Sequence, residues 1–139
     1  MKLLTLLLLA LIFSGGCSTL SEAPAAAGKN PCCEKGSSII RAIAEKDFAG
    51  YARFAGETPD ISDREKFLAS CNDLEKRLGK MENFSFLTEL KTPEVTSLVY
   101  CIDFCRRGSD GKKIEHQQLF QLVFGKVDGK SKLLGMRIM

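Results

Sequence analysis

The sequence predicts an α+β domain in which helices come first and a curved antiparallel sheet of about four strands comes last. Between residues 39 and 78, apolar residues recur every three or four positions, the spacing that places them on one side of a helix. After Gly79 they alternate with polar residues in runs bounded by Gly, Pro and Asp, as is typical of strands. Helices that precede an antiparallel sheet pack on one of its faces, which is the α+β arrangement.

The first seventeen residues form a segment of a different kind. Lys2 is followed by an apolar run from Leu3 to Phe13 and then by small residues that end at Cys17. A charged start, a short apolar stretch and small residues indicate an export signal. As a helix rising about 1.5 Å per residue, the run would cover about half of the hydrocarbon core of a bilayer. We therefore do not expect it to span a membrane.

The segment Ser14-Gly15-Gly16-Cys17 resembles the lipobox of bacterial lipoproteins. The resemblance implies that residues 1–16 are a signal peptide and that Cys17 becomes the acylated first residue, anchored in the membrane. Ser18 resembles the pattern that directs such proteins onward, which implies the periplasmic face of the outer membrane. The alternative is an ordinary secretory signal, cut after small residues, and a secreted soluble protein.

Composition divides the remaining chain into a tether and one domain. Residues 17–31 are rich in Ser, Ala, Pro and Gly and show no apolar periodicity, so they are expected to be a flexible tether. Residues 32–139 have the length of one ordinary domain. Lys and Arg number 20 against 17 Asp and Glu, with no basic stripe, which excludes a nucleic-acid partner.

Three helices are predicted, over residues 39–46, 47–54 and 62–78. Ser37 or Ser38 is placed to cap the first helix, and Asp47 the second. Ser62 and Glu65 form a capping box at the start of the third. The apolar side of the third helix consists of Phe67, Cys71, Leu74 and Leu78, and Gly79 is its expected stop.

Four strands are predicted, over residues 83–91, 94–106, 114–127 and 132–139. The loop 107–111 and the turn Asp128-Gly129 join the last three into consecutive hairpins. The strand 114–127 is apolar on both faces. We therefore expect the sheet face away from the helices to bind a second copy of the chain or a partner protein, unless the sheet closes on its own core.

The layout resembles the nuclear transport factor two-like (NTF2-like) superfamily. The resemblance rests on the segment Ile43–Phe48, which is similar to the break between that family's first two helices, on the capped third helix and on the final hairpin from Asp128 to Ile138. It implies a cone-shaped, cystatin-like fold. Members include isomerases, dehydratases and cyclases that act in the mouth of the cone, and also binding modules without chemistry.

An enzyme of this kind would need a base and a hydroxyl donor that converge in an apolar pocket. Asp103 is the candidate base, His116 an alternative proton carrier, and Tyr100 or Tyr51 the donor. Strict alternation puts Asp103 and Tyr100 on opposite faces of one strand, so they converge only across a bulge. We therefore expect a non-enzymatic binding module with no cofactor, and the alternative is a small-molecule isomerase or dehydratase.

Besides Cys17, the chain has five cysteines: Cys32, Cys33, Cys71, Cys101 and Cys105. In an exported domain this number indicates disulfides, with at least one cysteine unpaired. Cys101 and Cys105 lie about 13 Å apart along one strand, so each needs a partner elsewhere, such as Cys32 or Cys33. Cys71 pairs with the remaining strand cysteine or stays a buried thiol. The alternatives are free thiols throughout or a redox or metal site, but no Cys-x-x-Cys occurs and a metal is not expected.

Overall fold

The computed structural model describes residues 21–22, 31–55 and 61–139. The predicted signal peptide, Cys17 and most of the predicted tether lie outside the described residues. In the part of the chain that is described, no helix is both long and apolar enough to cross a membrane.

The fold is α+β, as the sequence predicted, with helices ahead of an open, mainly antiparallel sheet. The helices are α1 (Pro31–Glu45), α2 (Phe48–Ala55) and α3 (Ile61–Leu78). The strands are β1 (Ser21–Glu22), β2 (Lys80–Lys91), β3 (Val95–Arg107), β4 (Lys113–Val127) and β5 (Lys130–Ile138). They lie in the order β1-β2-β3-β4-β5, with β1 parallel to β2 and all other neighbours antiparallel.

The start of α1 was predicted wrongly. The helix begins at Pro31, so Ser37 and Ser38 lie inside it and cap nothing. Ser38 Oγ instead donates a hydrogen bond to the Glu34 carbonyl at 2.8 Å, one turn back. Proline is suited to the first turn of a helix because its missing N–H has no partner there. Within the predicted tether, Ser21 and Glu22 pair with β2 as the short strand β1.

The other helix boundaries follow the local signals more closely. Lys46 ends α1 in the left-handed region with φ 56, and Asp47 caps α2 by accepting a 3.0 Å hydrogen bond from the Gly50 N–H. The third helix begins at Ile61, one residue before the predicted cap Ser62. It ends at Leu78, and Gly79, the predicted stop, follows with a φ of 96 that favours glycine.

The sheet is a meander of hairpins, as predicted; β2, β4 and β5 begin one to three residues earlier than expected, and β3 begins one residue later. The register of β3 with β4 runs without interruption from Val95 to Arg107. Irregularities occur in β2, at Met81/Asn83 and Phe86/Thr88, and they bend that strand. At the β4–β5 turn, Asp128 and Gly129 both have positive φ, of 52 and 74, which suits a tight hairpin.

The two faces of the sheet differ in their surroundings. We call the face that carries Tyr100, Ile102 and Phe104 the inner face, because the helices pack on it, and the face that carries Cys101 and Asp103 the outer face. The most completely buried side chains are Tyr100, Phe84, Phe104, Ile39, Ile40, Leu98, Ile102 and Leu122. They form one core between α1, α3 and the inner face.

Candidate functional site

A cleft of 630 Å³ lies between α3 and the part of the inner face formed by β4 and β5. Its apolar walls are Ile43, Phe67, Cys71, Leu74, Phe120 and Ile138, and its rim carries Ser70, Asp73, Arg77, Met136 and Arg137. Small-molecule sites are typically apolar concavities of about 300–1,000 Å³ with a few polar groups. The cleft has the size and lining of such a site.

Two elements meet across the cleft. Phe120 and Ile138 lie directly opposite each other in the β4–β5 register, so both present side chains to the inner face. The apolar side of α3 forms the facing wall, at the positions that the helical spacing predicted. The cleft is the space left where this helix and the hairpin do not close completely.

The charged side chains at the rim have polar partners within the protein. Arg77 Nε lies 2.9 Å from Asp73 Oδ2, one turn apart on α3, and both side chains are largely exposed. Such exposed pairs contribute little to stability. Arg137 Nε donates a 2.5 Å hydrogen bond to Gln121 Oε1 across the β4–β5 pair. The rim is therefore polar, while the floor of the cleft is apolar.

A second cavity, of 220 Å³, lies on the other flank of α3. Its lining includes Lys46, Glu75 and Lys80 together with Met81 and Phe104. Lys46 Nζ lies 2.6 Å from Glu75 Oε2 and donates a 2.7 Å hydrogen bond to Asn72 Oδ1. This cavity is smaller than the cleft, and its lining likewise contains three charged residues.

The structure keeps the predicted base and donor apart. Tyr100 is 0% exposed on the inner face, where its hydroxyl donates a 3.0 Å hydrogen bond to the Cys33 carbonyl. Asp103 lies on the outer face and accepts a 2.8 Å hydrogen bond from Gln117 Nε2. Because β3 has no bulge against β4, nothing brings these two groups together.

The remaining candidates lie in different surroundings. The His116 ring stacks on Phe104 with centroids 5.8 Å apart, and His116 and Asp103 line a groove of 290 Å³. Tyr51 stacks on Phe67 at 4.6 Å, and burial, helped by the nearby Cys71, raises the pKa of its hydroxyl. None of these residues faces another across an apolar pocket, so the sequence candidates do not form an acid–base site.

The five cysteines of the described residues are not bonded to one another. Cys33 is a buried residue of α1, and Cys32 beside it is partly buried against the core. Cys71 lies on α3 in the same core, whereas Cys101 and Cys105 lie on the outer face. A bridge from Cys32 or Cys33 to either strand cysteine would have to cross the sheet, so the structure does not favour that pairing. Disulfide bonding stays a prediction, which a count of the free thiols in the purified protein would test.

Cys71, Cys101 and Cys105 are not activated as nucleophiles, because the pKa of each thiol is raised. Burial raises the pKa of Cys71, against a smaller opposing effect of Lys46. Burial and then the Asp103 carboxylate raise the pKa of Cys101. Raised values keep a thiol protonated at neutral pH, and the thiolate is the reactive form. Among the residues that the structure describes, no group of three His, Cys, Asp or Glu side chains is placed to hold a metal ion.

The cleft was not predicted. Helical spacing identified Phe67, Cys71 and Leu74 as one apolar side, and alternation placed Phe120 on one face of its strand. Each pattern describes one element by itself, whereas the cleft depends on the gap between two elements.

The arrangement of helices and an antiparallel meander is similar to that of solved structures with an NTF2-like fold. A variant of the protein Rd1NTF2_05 aligns with a TM-score of 0.52 at 15% identity, covering 81% of this chain and 100% of that one. A protein from Xanthomonas campestris, described as a calcium/calmodulin dependent protein kinase II association domain, aligns with a TM-score of 0.50 at 15% identity, covering 86% and 94%. Aln2 from a Streptomyces species aligns with a TM-score of 0.50 at 14% identity, covering 77% and 85%.

No protein-family model and no curated protein matches this sequence. At these identities, similarity to solved structures shows the fold alone, since one fold carries many functions. The function is therefore argued from the geometry of the site.

Proposed function

We propose that this chain is a non-enzymatic lipoprotein of the cell envelope whose cleft binds a small apolar molecule. The observation that carries the binding role is the cleft itself: 630 Å³ with an apolar floor and a polar rim. Burying apolar surface there would drive binding, at about 25 cal/mol per Å². The rim would then orient the polar end of the ligand.

Binding is favoured over catalysis by the placement of the titratable groups. Proton transfer needs a base within hydrogen-bond reach of the substrate. Asp103 is on the outer face, and His116 stacks on Phe104 away from the cleft lining. An isomerase or dehydratase is the alternative. Conversion of a bound molecule to an isomer or dehydrated product, lost on Asp103→Asn, would support that alternative against our proposal.

Location in the envelope rests on the sequence. The charged start, the apolar run and Ser14-Gly15-Gly16-Cys17 support export and acylation of Cys17. Several acyl chains hold a protein at a membrane more firmly than one, since each buried methylene contributes about 0.8 kcal/mol. Ser18 supports delivery to the periplasmic face of the outer membrane.

The binding role can be tested with a single introduced fluorophore, because the chain has no tryptophan. Met136→Trp places an indole at the rim of the cleft, and Leu90→Trp places one on β2, outside its lining. Titration with N-phenyl-1-naphthylamine should give saturable energy transfer from the first variant and much weaker transfer from the second. Adding Ile138→Lys to the first should weaken binding at least tenfold. Equal transfer from both positions would contradict the proposal.

Acylation can be tested by the intact mass of the protein isolated from membranes. The expected mass lacks residues 1–16 and includes acyl chains on Cys17, and Cys17→Ser should move the protein to the soluble fraction. A full-length, unmodified mass would contradict the lipoprotein assignment. The same spectrum reports whether any cysteines are bridged.

We further propose that a second copy of this chain binds at the outer face. Apolar side chains there include Val99, Leu119 and Val123, and Leu134 covers Gly125 beside them. Leu119 is 39% exposed near the middle of the face. Exposed apolar surface on one face of a sheet whose other face is covered by helices is typical of an interface.

A further inference from the structure

We propose that the tip of the β3–β4 hairpin binds the anionic phosphate headgroups of the bilayer that holds the lipid on Cys17. The tip is defined as residues 106–113, and Arg106 and Arg107 are the residues that make the contact. This inference rests on the proposed acylation of Cys17 and adds a second, polar contact with the same membrane. The partner is an acidic phospholipid surface, and phosphatidylglycerol is the lipid used to test it.

The position of β1 determines how far each end of the sheet lies from the anchor. Ser21 pairs with Asn83, and Asn83 pairs with Asp103. Strands rise about 3.3 Å per residue, so the end of β3 at Arg107 lies about 13 Å along the sheet from this pairing. The end of β2 at Lys91 lies about 26 Å away in the opposite direction.

The reach between the lipid and β1 favours one of these two ends. Cys17 precedes Ser21 by four positions, so the two residues are at most about 14 Å apart. If the end at Lys91 rested on the bilayer, Ser21 would stand about 26 Å above the surface, beyond that reach. If the end at Arg107 rested there, Ser21 would stand about 13 Å above it, which four residues can span. The anchor can therefore hold the β3–β4 tip at the membrane surface.

The β3–β4 tip is rich in positive charge. It contains Arg106, Arg107, Lys112 and Lys113 against one carboxylate, that of Asp110. Arg107 and Lys113 lie directly opposite each other in the last pair of the β3–β4 register. Like charges in that position repel each other within a hairpin, and a surface of phosphates would offset the repulsion.

The lysines of the tip have acidic partners within the protein. Lys113 Nζ lies 2.5 Å from Glu115 Oε1 and 3.1 Å from Glu82 Oε2. Lys112 Nζ lies 3.7 Å from Asp110 Oδ2. Glu115 and Glu82 both lie farther from the end of the sheet than the tip does. The lysines are therefore not the residues that we expect to bind phosphate.

The two arginines supply the positive charge that remains. Both are exposed, and among the residues that the structure describes neither has a carboxylate within ion-pair distance. Arg106 and Arg107 are consecutive in β3, so their side chains point to opposite faces of the sheet. A guanidinium group can donate two parallel hydrogen bonds to one phosphate. A bilayer surface offers phosphates on both sides of the tip, whereas a single dissolved anion would meet only one arginine.

The test places a single tryptophan near either end of the sheet, because the chain has none. Ser109→Trp lies in the β3–β4 tip, and Ser131→Trp is the matched control, exposed on β5 near the opposite end. The acylated protein, isolated from membranes, is placed in phosphatidylcholine vesicles that carry a dansyl-labelled lipid, with or without phosphatidylglycerol. Energy transfer from Ser109→Trp should rise at least about twofold when phosphatidylglycerol is present, whereas transfer from Ser131→Trp should stay weak. Comparison of the two kinds of vesicle removes the affinity of tryptophan itself for the interface.

The contribution of charge is tested in the Ser109→Trp protein. Near an anionic leaflet each basic residue strengthens binding about fivefold, so Arg106→Gln with Arg107→Gln should lower the ratio of bound to unbound tips about 25-fold. Lys130→Gln with Lys132→Gln removes the same charge from β5 and should leave energy transfer unchanged. High salt should act like the arginine variant because it screens the headgroups. An equal loss in both double variants, or equal transfer with and without phosphatidylglycerol, would overturn the inference.

Failure of this inference can be told apart from failure of the proposed function. An acylated protein whose energy transfer does not depend on phosphatidylglycerol keeps its assignment as a lipoprotein and defeats only the headgroup contact. A protein without acyl chains on Cys17 defeats the proposed location and this inference with it. Dye binding in the cleft is measured separately and does not depend on either result.

Discussion

Gly36 and Tyr100 determine how closely α1 approaches the sheet. A Cβ atom at Gly36 would collide with the Tyr100 hydroxyl and would lie 2.8 Å from Leu98 Cδ1. The same hydroxyl donates a hydrogen bond to the Cys33 carbonyl, one turn earlier in α1. Gly36 lets α1 come close to β3 because it has no side chain, and the Tyr100 hydroxyl holds the helix there through its hydrogen bond. Glycine inside a helix carries a cost in propensity, and this contact explains why it is tolerated here.

Gly36→Ala should lower the free energy of unfolding by about 1–3 kcal/mol, because the added methyl group overpacks a contact made of buried side chains. Urea unfolding followed by circular dichroism measures the change. Gly135→Ala is the control, since a Cβ there has nothing within 4 Å and φ is not positive. An equal loss in both variants would show that the Tyr100 contact is not the cause.

The sequence identified the cysteines and the titratable candidates, but it did not predict which residues would lie next to them. Alternation along β3 correctly separated Asp103 from Tyr100, because a strand without a bulge repeats every two residues. The stacking of His116 on Phe104 depends on the pairing of two strands. Such pairing follows from the register, which one strand does not specify alone.

At the scale of elements, the sequence predicted the boundaries of helices and turns where a single residue acts directly on the backbone. Asp47 caps α2 through the Gly50 N–H, and Asp128-Gly129 forms the last turn with two positive φ values. The start of α1 was missed because its first turns, from Pro31 to Lys35, carry no apolar periodicity. These residues are helical because Cys33 and the following turn pack on Tyr100, which is a long-range contact.

Asp47→Ala should lower the free energy of unfolding by about 1 kcal/mol, since the Gly50 N–H at the third helical position loses its acceptor. Asp47→Ser keeps a capping oxygen and should stay within about 0.5 kcal/mol of the original protein. Thermal unfolding of the two variants side by side measures the difference. Equal melting temperatures would indicate that the cap does not stabilise α2.

At the scale of the whole molecule, the sequence predicted the fold class and the presence of apolar residues on both faces of β4. It did not predict the cleft or the second cavity, since each depends on how far α3 stands from the sheet. A gap in the packing depends on how several elements fit together, whereas the periodicity of apolar residues describes only one element at a time. The outer face is the part of the molecule where the sequence expectation leads directly to an experiment.

Leu119→Lys should convert a dimer of this chain to a monomer in sedimentation velocity, because a lysine at the centre of the outer face would be buried without a partner. Ile114→Lys is the matched control. Ile114 has the same 39% exposure on the same strand but lies on the other face, near the loop before β4. A chain that sediments as a monomer before either substitution would contradict the proposed association.

The short pairing of β1 with β2 has a consequence for how the domain would stand at a bilayer. Ser21 pairs with Asn83 and comes only four positions after Cys17, a span of at most about 14 Å. With the lipid on Cys17, as proposed, these few residues would hold the edge of the sheet next to β2 close to the lipid headgroups. The opposite edge of the sheet, at β5, lies three strands away from β2. The cleft beside β5 would then face the aqueous side.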